Sequence, residues 1–273
     1  MKSTRVLIAC TIVFVLLVSG LACTGGKCVG DICTYEGKQP PYIRSTLYRD
    51  KIHLIESSNA ADPTWQQLKA FLIADSTDKE AYNLLAYPCG IFAEELHNNA
   101  EAVGIRAAWV GIDFVEGGVG HALNAFNTSD KGLVYIDCTG ENWPDDTVES
   151  SYTQGASWGK ASDWDKVAYL SIGQEYGLIS LSVATCPEYE CYEVYKLQDA
   201  SFDAALEQYN NDVQAYNNWI SGKTFYFGTA DYYKAQSEKR ELDARVQALD
   251  KEGDALGAFW EPLGNVSHIN IYW

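Results

Sequence analysis

Residues 87–104 read Tyr-Pro-Cys-Gly-Ile-Phe-Ala-Glu-Glu-Leu-His-Asn-Asn-Ala-Glu-Ala-Val-Gly. Pro88 and Gly90 are turn residues, and a proline just ahead of a helix suits its start. Phe92, Leu96, Ala100 and Val103 then recur at helical spacing, with Glu94, Glu95, Asn98 and Glu101 between them. Gly104 stops the pattern as a C-terminal glycine does. Cys89 therefore opens a helix, where unpaired backbone N–H groups and the helix dipole favour an anion. A thiolate is the nucleophilic form of cysteine, so the placement fits a reactive thiol. The alternative is that Cys89 is a small apolar residue filling a core gap.

The segments after this helix supply partners. Ala107 to Phe114 is rich in β-formers, and Glu116-Gly117-Gly118-Val119-Gly120 turns the chain back. His121 opens the returning strand, His121 to Asn127. Leu133 to Asp137 is a third strand, with Asp137 at its end. A nucleophilic thiol needs an imidazole to take its proton, and the imidazole needs an orienting carboxylate. Cys89, His121 and Asp137 provide those residue types on three separate elements.

Four motifs carry a resemblance: Cys89-Gly90-Ile91-Phe92-Ala93, Gly104-Ile105-Arg106-Ala107, His121-Ala122 and Ile136-Asp137-Cys138-Thr139. In this order they resemble the transglutaminase-like superfamily, over roughly residues 60 to 145. Arg106, Leu123 and Cys138 stand where that family commonly has proline, an aromatic residue and proline. The resemblance implies a papain-like α+β core with Cys89 as nucleophile, His121 as general base and acid, and Asp137 as orienter. It also implies amide-bond chemistry (peptidase, deamidase or acyl transfer) on a protein or peptide substrate, with no cofactor. The alternative from another class is a catalytically silent envelope protein that binds a partner through its groove and its C-terminal helices. Cys138 alternates away from Asp137 on its strand and reads as a buried core thiol. His97 reads as a solvated surface histidine, and His53 and His268 are assigned no role. The second oxyanion donor, beside the Cys89 backbone N–H, is left open among Trp65, Gln66 and Tyr87.

The whole chain sets the context. Its 273 residues are 47% apolar and 13% aromatic, enough for a substantial core. A formal net charge of -17, from 37 acidic and 20 basic side chains, excludes a nucleic-acid partner of ordinary kind. Lys2 and Arg5 precede an apolar run from Val6 to Ala22, the pattern of an export signal. Gly20-Leu21-Ala22-Cys23 resembles a bacterial lipoprotein signal, with Cys23 as the lipidated residue. Cleavage by an ordinary signal peptidase and a retained membrane anchor remain as alternatives. The expected location is the cell envelope, on the outer face of the cytoplasmic membrane. In such a compartment Cys28 with Cys33, and Cys186 with Cys191, each form a pair able to close a small disulfide loop. Neither pair has the C-x-x-C spacing or histidines of a zinc site, so no metal is expected from them.

The flanks complete an α+β reading. Asp62-Pro63-Thr64-Trp65 opens an amphipathic helix, and residues 79 to 86 suggest a further short one. Trp143 to Gly159 reads as a surface loop, and Val167 to Ile172 and Leu178 to Val183 as strands. Phe202, Leu206, Tyr209, Val213, Tyr216 and Ile220 form a heptad seam that resumes at Leu242, Val246, Leu249 and Leu256. The two predict a helical hairpin. A final strand lies within 265–273. The expected organisation is a signal or anchor over 1–22, a linker and strand region over 23–58, a core over 59–198, and the hairpin with the terminal strand over 199–273.

Overall fold

The computed structural model describes residues 26–83, 85–86, 88–140, 165–258, 260 and 262–273. The signal segment, Cys23 and the loop expected over 143–159 lie outside the described residues. The chain divides into two units, a sheet-and-helix unit and a helical unit covering 190–260.

The first unit is α+β, built on a mixed eight-stranded sheet. Its strands are β1 (Lys27–Val29), β2 (Ile32–Tyr35), β3 (Ala108–Phe114), β4 (His121–Thr128), β5 (Gly132–Asp137), β6 (Lys166–Tyr169), β7 (Gly177–Ser180) and β8 (Val266–Tyr272). The spatial order is β1-β2-β8-β3-β4-β5-β6-β7. Every neighbouring pair is antiparallel except β2 with β8. The terminal strand therefore inserts between β2 and β3 as an interior member of the sheet. The boundary expected at 198/199 falls inside the first hairpin helix, α3, which begins at Tyr189. Strand pairing across more than 150 residues leaves no local trace in the sequence, so the terminal strand was grouped with the hairpin beside it.

Helix α1 (Trp65–Ala74) starts at Thr64, whose hydroxyl accepts from the Gln67 N–H while Gln67 returns a bond to the Thr64 N–H. This reciprocal cap satisfies two first-turn donors. Helix α2 spans Cys89–Ala102, with Pro88 as N-cap. It ends where Gly104 takes a φ of 84°, a left-handed conformation that glycine adopts freely. The Ile105 N–H then closes on the Ala100 carbonyl at 2.9 Å. The helix expected over 79–86 is absent from its described residues, and the region holds only a 3-10 turn, Thr77–Lys79. The Asn83 side chain accepts from the Leu85 and Ala86 N–H groups, each at 3.0 Å. Asparagine competes in this way with the helical bonds its neighbours would otherwise make.

Helix α2 buries Ile91, Phe92, Ala93, Leu96 and Ala100 against the sheet. It is held there by polar clamps as well as by apolar contact. Asn124, fully buried on β4, donates to the carbonyls of Ala93 at 2.8 Å and Ala108 at 3.3 Å. Glu94 and Glu101, which stand between the apolar positions of α2, are buried as well. Their carboxylates and the Asn98 amide bind the backbone of an extended segment: Glu94 accepts from His53, Asn98 from Ile55 and Glu101 from Ser57. Buried polar groups persist where each has a partner, and here the partners are peptide N–H groups of a passing chain.

In the second unit α3 (Tyr189–Ile220) and α4 (Ala230–Leu256) form the antiparallel hairpin. Asp212 pairs with Arg245 at 2.6 Å, and the Tyr216 hydroxyl donates to the Ala235 carbonyl at 3.2 Å. Phe202 and Leu249 of the seam are buried. No helix among the described residues is long and apolar enough to cross a membrane.

Replacing Asn124 with leucine keeps the volume but removes both amide bonds. The expected loss is about 1–3 kcal/mol, read as a lower urea midpoint. An unchanged midpoint would mean that Asn124 does not clamp α2.

Candidate active site

Three elements bring Cys89, His121 and Asp137 together. Cys89 is the first residue of α2, half-buried beside the apolar cluster of Ile52, Leu54, Ala93, Trp109, Ala122 and Tyr272. The indole of Trp109 donates to the Gly90 carbonyl at 3.2 Å, fixing the first turn of the helix from the sheet side. His121 opens β4 opposite Ile112 of β3. The chain enters β4 through Gly120, where a Cβ would lie 2.3 Å from the Ile112 carbonyl oxygen. Any side chain at 120 would push the entry of β4 away from β3 and move His121 with it. Asp137 closes β5, whose register with β4 pairs Asn124 with Ile136. Continuing that register puts Asp137 diagonal to His121 on one face, within reach of a histidine.

The contacts follow from this placement. His121 Nε2 lies 2.9 Å from Asp137 Oδ2, and the Cys89 sulfur is close enough to the ring to push its pKa up. With Nε2 committed to the carboxylate, Nδ1 is the nitrogen left for another partner. Asp137 is 3% exposed and fully served. The Tyr176 hydroxyl donates to Oδ2 at 2.7 Å, and the Thr139 N–H donates to Oδ1 at 2.8 Å. Lys166 Nζ, itself buried, lies 3.8 Å from Oδ1 and donates to the Thr139 carbonyl at 2.8 Å. The Tyr176 ring meets the His121 ring edge-on, centroids 5.5 Å apart.

The electrostatics match the contacts. Burial alone would raise the Asp137 carboxyl, but Lys166, His121 and Tyr176 together hold it far below the usual carboxylate range. Burial alone would lower His121, but Asp137 and the Cys89 sulfur outweigh it and push the ring up to about 10. Tyr176 is driven well above its usual value by burial and by Asp137, so it stays a phenol and a donor. The site thus favours a charged imidazolium against the buried Asp137 carboxylate.

No protein-family model, curated protein or solved structure matches this chain.

The remaining cysteines behave differently. Cys138 is buried on the face opposite Asp137, its thiol directed at the Phe92 carbonyl at 3.5 Å. Burial, with Asp165 and Asp137 nearby, pushes that thiol well up, away from the reactive form. Cys28 and Cys33 face each other across the β1–β2 hairpin and are bonded at 2.03 Å. Cys186 and Cys191 are also in disulfide form.

Of the suggested oxyanion donors, the Trp65 N–H is taken by Asp130 at 2.7 Å, and Tyr87 lies outside the described residues. The Cys89 and Gly90 N–H groups have no protein acceptor among the described residues, as befits a first helical turn. His97 is not a solvated histidine: its side chain is fully buried. Sequence reasoning passed over Tyr176 and Lys166. Lys166 had one signal, a lone cation opening an otherwise apolar strand. Tyr176 had none.

The pH dependence has a definite sign. His121 is raised above its ordinary value, so its pairing stabilises the fold fully below about pH 6.5 and fades as pH rises toward 10. Asp137 is lowered, so its contribution is present above about pH 4 and fades on acidification. Ring NMR of His121 should report a protonated imidazole through neutral pH, titrating near 10. In Asp137→Asn it should fall toward the ordinary range. A His121 that titrates near 6.5 with Asp137 intact would contradict this electrostatic account.

Proposed function

We propose that this protein is an exported, lipid-anchored cysteine hydrolase or acyltransferase with a transglutaminase-like, papain-like core, acting on amide bonds of proteins or peptides. One observation carries the reading: a nearly buried imidazole is bonded to a buried carboxylate and lies beside a helix-terminal thiol.

The chemistry follows from those groups. The Cys89 thiolate attacks the amide carbonyl carbon, and the carbonyl π electrons move to oxygen. The free N–H groups at the start of α2 face a developing oxyanion of this kind. As the tetrahedral adduct collapses, the C–N bond breaks and the His121 imidazolium gives its proton to the leaving amine. A thioester remains on Cys89. Water, or a second amine, attacks it while His121 takes back the proton, and the thiolate leaves. Asp137 keeps Nε2 occupied so that Nδ1 serves sulfur, and Tyr176 fixes the carboxylate that does so. Asp137 and Tyr176 are positioning residues.

The second reading, a silent envelope protein that holds a partner, rests on the α3–α4 loop, where Tyr226 and Phe227 are 70% and 83% exposed.

Acid-quenched intact-mass analysis with a library of peptide amides separates the two. The hydrolase reading predicts an acyl adduct on Cys89 that hydroxylamine removes, absent in Cys89→Ala. Asp137→Asn should fold and turn over more slowly than wild type, by less than the roughly 10⁴-fold loss of a serine triad, because a thiol depends less on its base. Full-rate turnover by Asp137→Asn would show the assigned triad to be wrong. A library that leaves no adduct would favour the binding reading.

A further inference from the structure

The last turns of α2 hold a second group of side chains that the triad does not use. His97 and Glu101 are one helical turn apart on the same face, i and i+4. His97 is fully buried and Glu101 is 1% exposed. Glu56, on the extended segment that α2 clamps, completes the group and is 45% exposed. The imidazole nitrogen and one oxygen from each carboxylate all lie within 4.8 Å of one another.

The hydrogen bonds fix how the imidazole is used. Asn98 Oδ1 accepts from the Ile55 N–H at 2.8 Å, and Asn98 Nδ2 donates to the His53 carbonyl at 3.1 Å. The amide therefore cannot be flipped. His97 Nδ1 lies 3.1 Å from that same Oδ1, an acceptor, so Nδ1 carries the proton. In the neutral ring Nε2 then presents a lone pair. It is buried, has no hydrogen-bond partner among the described residues, and points at Glu56.

A lone pair turned toward two carboxylates is unfavourable unless a cation lies between them. The spacing distinguishes a proton from a metal. A proton shared between nitrogen and carboxylate draws the two atoms to about 2.7–2.9 Å. Two ligand atoms held about 2.0–2.1 Å from a tetrahedral ion sit about 3.4 Å apart. His97 Nε2 and Glu56 Oε1 are 3.6 Å apart.

The outer contacts fit as well. Metal-bound histidines commonly donate their other N–H to a carbonyl, as His97 does to Asn98. The Glu101 oxygens accept from Ala107 and Ser57, each at 2.9 Å, which fixes the carboxylate and leaves each oxygen a second lone pair. We propose that Glu56, His97 and Glu101 bind a divalent first-row cation, with Zn²⁺ as the natural probe, which clamps residues 53–57 to α2. One imidazole with two carboxylates suits zinc and its neighbours better than calcium or magnesium, which take oxygen ligands. Water completes the coordination on the open, Glu56 side. This site is separate from the triad and does not depend on the proposed hydrolase activity.

The test is calorimetric titration of the chelator-treated protein with Zn²⁺, with Cys89→Ala as the parent so that the triad thiol cannot compete. The parent should take up one equivalent, and Co²⁺ in its place should give the visible absorption of a low-coordinate N/O site. Glu56→Gln lies at a half-exposed position and should fold with an unchanged melting temperature in chelator. It should bind Zn²⁺ at least tenfold more weakly, and His97→Gln should not bind. If His97→Gln fails to fold, Glu56→Gln alone decides. No zinc uptake by the parent, or equal affinity in Glu56→Gln, would overturn the proposal.

Discussion

A carboxylate buried as deeply as Asp137 is tolerable only if its charge is answered, and much of the first unit is arranged around that requirement. Removing an ion from water carries a penalty of several kcal/mol that partners must offset. Here the partners come from four places: His121 at the start of β4, Lys166 paired across β6, the peptide of Thr139, and Tyr176 just ahead of β7. The sheet order β4-β5-β6-β7 is what brings them to one point. The same requirement raises the basicity of His121 and so sets the charge state in which it meets Cys89.

The parts of this arrangement that were legible in sequence are those with local signals. The helix from Cys89 announces itself by Pro88, a periodic apolar face and Gly104. The strands that carry His121 and Asp137 are runs of β-formers broken by glycine turns. Their order along the chain was enough to nominate the triad. What stayed hidden depends on pairing at a distance. Tyr176 reaches Asp137 from a turn with no distinguishing composition, and β8 joins β2 and β3 from the far end of the chain. His97 misled for a related reason. It looks solvated by pattern, but the backbone of residues 53–57 lies over it and uses the acceptors of Glu94 and Glu101.

Helix α2 thus works at both ends. Its first turn presents the thiol beside unpaired N–H groups, while its later turns are fixed by hydrogen bonds to a passing extended segment. Asn124 ties its middle to two strands. The proposed nucleophile needs its helix held within a fraction of an ångström, and side-chain clamps of this kind supply that rigidity where apolar packing alone would allow sliding.

The central proposal is that His121 activates the Cys89 sulfur as a nucleophile, and alkylation at pH 6 tests it most directly. An ordinary thiol of pKa about 8.5 is only roughly 0.3% ionised there. The account predicts that Cys89 is carboxamidomethylated by iodoacetamide far faster than Cys138 or a small free thiol, and that His121→Ala abolishes the difference. Equal rates for Cys89 in wild type and His121→Ala would contradict it.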